Sequence, residues 1–136
     1  MHRSCLETIG GGGMELSEQQ EEWLQAGIEN FNTGRFWHAH EDWEYLWISL
    51  KGNASQAHID GVQGLIQIAA MLLNHERRKV RGVTNLWVKA SAKLVPVMEG
   101  LFGVDISSLY VDSEPFHQDV EEFTLDTRTV RIKQQS

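Results

Sequence analysis

Between residues 17 and 94, apolar residues recur every three or four positions, in stretches bounded by capping or breaking residues. Leu24, Ile28 and Phe31, with Trp23 beside them, mark a first helix. Ser17 with Gln20 three residues on forms its capping box, and Asn32-Thr33-Gly34 ends it with a glycine. Glu18, Glu21, Glu22 and Glu29 fall on its water side. A second helix is predicted over 36–50, with Phe36, Ala39, Trp43, Leu46, Trp47 and Leu50 on one broad face and Lys51-Gly52-Asn53 as breaker. A third, capped by Ser55, is predicted over 56–75. Ile59, Val62, Leu65, Ile66, Ile68, Ala69, Leu72 and Leu73 cover most of its circumference, the signature of a central, buried helix. Its one polar stripe, Asp60, Gln63, Gln67 and Asn74, carries amides where a solvent face would carry Lys and Glu. Gly61 and Gly64 in its interior predict close approach of a neighbouring helix. A fourth helix is predicted over 80–94 through Val83, Leu86, Trp87, Ala90 and Leu94, with an end or kink imposed by Pro96.

The remainder is less regular. Asp105 is placed to cap a short turn through Leu109 and Tyr110, and Ser113-Glu114-Pro115 reads as a helix start running to about Phe123. Residues 124–136 read as a polar, frayed tail. No period-2 alternation supports a sheet. The expectation is an all-α chain: a compact bundle of four main helices plus a short C-terminal helix, packed around the third. Residues 1–13, with a four-glycine run, read as a flexible leader. One helical domain is expected over 14–123.

Composition narrows the function classes. A chain of 136 residues is of single-domain size. Its net charge of −7 disfavours nucleic acid, which requires a cationic face. The short basic cluster Arg77, Arg78, Lys79 and Arg81 reads as a solvated helix start. The longest apolar run, 65–73, is too short for a membrane span. The start of the chain lacks the apolar region of a signal peptide, so a cytoplasmic location is expected. Cys5 alone supports neither a disulfide framework nor a cysteine zinc site. Five Trp point to core, interface or pocket. A homodimer through Trp-bearing faces and a small-molecule ligand are both compatible with this composition.

The densest chemistry is FWHAHEDWEYLW, residues 36–47. At ~100° per residue, His38 and Asp42 turn to the far side, while His40 and Glu44 fall at the edge of the core face with Glu41 nearby. Three roles follow. As chemistry, His40, Glu41 and Glu44 are candidate catalytic groups, and His40, Glu44, Asp60 and His75 candidate metal ligands, because His and carboxylates from facing helices can build such sites. As a pocket, Trp37, Trp43, Trp47, Gln63 and Gln67 would line a ligand. As architecture, His40 and Glu44 would bond Gln63 and Gln67 across two helices, satisfying groups that are costly to bury unpaired. No Ser-His-Asp order, phosphate loop or cofactor motif is present. His58, His75 and His117 read most simply as surface or cap histidines, with His75 notable for ending the polar-striped helix.

Three phrases together, FNTGRFWHAHEDWEYLW, GVQGLIQIAAMLLNHERRKVRGVTNLWVKASAKL and GVDISSL, resemble the DUF309 family of small helical proteins of unestablished function. The family pattern is matched at Phe31, Asn32, Gly34, His40, Glu41, Trp43, Glu44, Trp47, Gln63, Gly64, Gln67 and His75. Two places depart from it. His38 stands where the family usually has Glu, and the turn after His75 reads ERRKVRG rather than RGNxxGA. The resemblance implies a helical bundle and no particular reaction.

Overall fold

The computed structural model describes residues 15–135. Among the described residues five α-helices follow one another: α1 Glu18–Asn32, α2 Phe36–Leu50, α3 Gln56–Glu76, α4 Val80–Leu94 and α5 Ile106–Ser113. The Ser17 hydroxyl accepts from the Gln20 backbone, and the Gln20 side chain accepts from the Ser17 backbone, so the capping box is formed from both sides. Ser55 caps α3 and Asp105 caps α5 through their side chains. Around Pro96 the chain tightens into a 3₁₀ turn, Val95–Val97.

Helix α3 is the axis. It packs against both α2 and α4, and α1 packs on α2. Leu65, Ile68, Ala69, Met71 and Leu72 lose all contact with solvent. The two α3 glycines are contact points, as expected. A Cβ on Gly64 would press on Leu94, and one on Gly61 on Leu101 and Val97. Trp43 is sealed between α1 and α2, its indole N–H donating to the Leu24 carbonyl at 3.3 Å. Gly27 makes room for that ring, since any side chain there would overlap it. No helix of the described residues is long and apolar enough to cross a membrane.

Two expectations for the C-terminal part are corrected. The helix predicted from Ser113 to Phe123 stops after one 3₁₀ turn, Glu114–His117. The Asp119 carboxylate then takes hydrogen bonds from the backbone of Thr124 and Leu125, which bends the chain into a loop. Nor is the segment after 123 frayed. Val130 and Ile132 are buried. Asn32 clamps Ile132, donating to its carbonyl at 3.0 Å and accepting from its N–H at 2.7 Å. Asp105 and Gln135 backbone N–H groups bond the carbonyls of Lys133 and Gly103. Alternating Val130 and Ile132 supply too few apolar positions for the pattern to signal burial. The expected leader, residues 1–13, lies outside the described residues.

A His75 cleft as candidate functional site

The expected cluster on α2 and α3 is only partly assembled. His40 Nε2 and Glu44 Oε2 stand 3.8 Å apart, with Glu44 half exposed. The Trp37 ring lies flat on the His40 imidazole, 5.3 Å between centroids and 7° from parallel, and Trp37 itself is 52% exposed. Glu41 is exposed, and Asp60 accepts from its own helix neighbour Gln56. Gln63 and Gln67 are half-buried. The hydrogen-bonded network expected from His40 and Glu44 to Gln63 and Gln67 does not form among the described residues. Instead His40 Nδ1, Trp47 Nε1 and Gln67 Oε1 are buried without a partner. Trp43, expected to line a pocket, is core. Lys51 sits over Trp47 at 3.8 Å, covering it from the solvent side. Among the described residues, no group of three His, Cys, Asp or Glu is arranged to hold a metal ion. The α3 end of the amide stripe serves packing: Asn74 bonds the Ala70 carbonyl and lies against Gly82 of α4.

His75 parts from this cluster and makes a different one. It is buried, 3% exposed, where a surface or cap position was expected. Phe116 and Phe123 meet its ring edge-on at 5.0 and 5.1 Å. Its Nε2 is 2.8 Å from Asp119 Oδ2. Asp119 also accepts from the N–H of Leu125 at 2.8 Å and from the N–H and hydroxyl of Thr124, both at 3.1 Å. These bonds, led by that from Leu125, hold its carboxyl down to about 2 from an ordinary 3.8. An ionised carboxylate only accepts, so His75 Nε2 carries the proton of the pair. In the neutral ring the lone pair is then on Nδ1. A carboxylate that fixes the tautomer and orientation of an imidazole in this way is a recurring arrangement behind histidine bases and ligands.

His75 stands on the wall of a cleft of about 510 Å³, a volume suited to a small molecule. Thr33 and Gly34 come from the end of α1, Glu76 and Arg78 from the end of α3, and Phe123 with Leu125, Asp126, Thr127 and Arg128 from the C-terminal segment. The Thr127 hydroxyl donates to Glu76 at 2.6 Å, tying that segment to α3. The Arg78 guanidinium lies 6.0 Å from the Phe123 ring centre.

Sequence reasoning singled out His75 but missed Asp119, Arg78 and Phe123 as its partners. Asp119 is 44 residues away in an irregular segment, and no local spacing couples the two. A family described as a domain of unknown function (DUF309) matches residues 24–86. That span includes His75 and Arg78 and stops short of Asp119. No curated protein and no solved structure matches the chain.

Proposed function

With residues 24–86 forming a DUF309 domain, we propose that the protein is a binding module for a small polar molecule, which it takes into the cleft beside His75. One observation carries this reading: a buried histidine, oriented by a fully hydrogen-bonded Asp119, stands on the wall of a cleft of ligand size. A buried histidine needs a hydrogen-bond partner in any case; what points beyond packing is that the ring Asp119 orients also lines the cleft. The His40 cluster stands apart in this reading. Trp37 lies flat on the His40 ring and Lys51 sits over Trp47, so the ligand is placed at the His75 cleft and not here.

An amide-resolved NMR titration of the full chain with a mixed set of neutral, anionic and cationic fragments tests the proposal. Shifts concentrated on Thr33, Gly34, Arg78 and Thr127 are expected. Shifts centred on Trp37 and Gln67, or none at all, would overturn it.

The orientation of His75 also supports a second reading, in which the neutral ring accepts a proton from bound substrate. A positioned histidine of this kind contributes ~10²–10⁴-fold as a general base. The same NMR hits, tested for turnover of esters or for proton exchange, separate binding from catalysis.

A further inference from the structure

Arg78 is the first residue beyond the C-cap of α3, and its backbone lies in the left-handed region at φ 56°. Its N–H donates to the His75 carbonyl at 3.0 Å, and the Lys79 N–H donates to the Asn74 carbonyl at 3.0 Å. This pair of bonds is the Schellman closure, whose left-handed position is normally glycine. Helix α1 ends in the same way. There Gly34, at φ 81°, bonds the Phe31 carbonyl at 3.0 Å, and Arg35 bonds the Asn30 carbonyl at 2.8 Å. The chain thus uses glycine in one closure and arginine in the other, and both residues line the His75 cleft. Backbone geometry does not call for arginine at 78, and a strained position of this kind points to a task for the side chain.

The charges around the cleft indicate that task. Each carboxylate nearby is already engaged. Asp119 holds His75, Thr124 and Leu125. Glu76 holds Thr127. Asp126 accepts from the backbone and side chain of Arg128. Arg78, by contrast, has no carboxylate within ion-pair distance among the described residues. It is also one of four cations within residues 77–81, out of twelve Lys and Arg in an acidic chain. Its fork of donors matches a carboxylate or phosphate better than any other ligand group.

Resting on the ligand-binding reading of this cleft, we propose that the ligand carries an oxyanion, a carboxylate or a phosphate, held by the Arg78 guanidinium with the His75 ring beside it.

The test is NMR titration of the full chain with four probes of similar shape: benzoate, phenyl phosphate, benzamide and benzylamine. Benzoate or phenyl phosphate is expected to shift the cleft amides most strongly, and the stronger of the two identifies the anion. Arg78→Gly, which suits the backbone, is expected to weaken that binding about tenfold or more. Arg78→Lys is expected to recover part of it. Benzamide binding as well as benzoate, or Arg78→Gly binding as well as the parent, would overturn the oxyanion while leaving the cleft a ligand site. Silence of the cleft amides to all four probes would overturn both.

Discussion

Gly34 and Arg78 occupy the same position of the same helix-ending motif, and both face one cleft. The two substitutions that exchange glycine and side chain at these positions should therefore have opposite signs.

Arg78→Gly removes a left-handed strain of roughly 1–2 kcal/mol and adds unfolded-state entropy worth roughly 0.5–1 kcal/mol. A net gain of about 0.5–1 kcal/mol is expected, visible as a rise of ~2–4 °C in Tm. A fall in Tm would mean that Arg78 stabilises the fold through its contact with Phe123, and that its strain is offset within the protein.

Gly34→Ala meets the reverse. Its Cβ would stand 3.2 Å from Arg128 Cγ on a backbone that disfavours any side chain. A loss of about 1–2 kcal/mol is expected, read from the denaturant midpoint at constant slope.

Gly27→Ala tests the sealed indole. The new methyl group overlaps the Trp43 ring, which has no free space to move into because it is fully buried. A loss of at least ~1–3 kcal/mol follows from overpacking. Trp43→Phe in the same background should recover part of it, whereas additive losses in the double variant would show that ring and glycine do not meet.

Asp119 makes stability depend on acid. Its folded carboxyl titrates near 2, below the unfolded value of 3.8. The group is therefore ionised in the folded state down to lower pH, and it contributes stability that is complete above about pH 4 and lost as pH falls towards 2. Asp105 and Asp126 are also lowered, mainly by the backbone N–H groups of Ser108 and Arg128, and act in the same direction. Asp119→Asn should be less stable at neutral pH and lose stability less steeply on acidification. Parallel acid curves for parent and variant would remove Asp119 from this account.

The unpartnered atoms of the α2–α3 cluster give a fifth test. Burying a polar atom without a partner costs roughly 1–3 kcal/mol, so replacing Gln67 by Met should be neutral or stabilising by up to about 1 kcal/mol. A marked loss of stability in Gln67→Met would show that the amide is held by a bond in solution and would restore the network expected from sequence.

The helices were legible because their signals are local. Ser17 with Gln20, Ser55, Gly34 and Pro96 act within one turn, and the apolar period of α3 is dense enough to mark it as central. The candidate site was legible only in part. The helical wheel placed His40 and Glu44 at the core edge; His40 is found there and Glu44 is exposed, and the wheel could not tell that Trp37 lies over the imidazole. It could not tell either that the facing amides fail to bond it. His75 was visible as the residue ending α3. Its burial was not, because the groups that cover it, Phe116, Phe123 and Asp119, come from a segment without helical or strand period.

The sequence by itself determined the number, extent and order of the main helices and the choice of α3 as their axis. Helix capping and a 3.6-residue apolar period are properties of neighbouring residues, and they survive without knowledge of the fold. The tertiary structure alone decided what the polar residues do. The ends of α1 and α3 and the returning C-terminal segment meet at one place, which turns His75 from a helix-end residue into the wall of a cleft. That meeting rests on contacts across 44 to 100 residues, such as His75 with Asp119 and Asn32 with Ile132. A pairing over such distances leaves no periodic trace in the chain, because each partner satisfies its hydrogen bonds only where the fold brings the other.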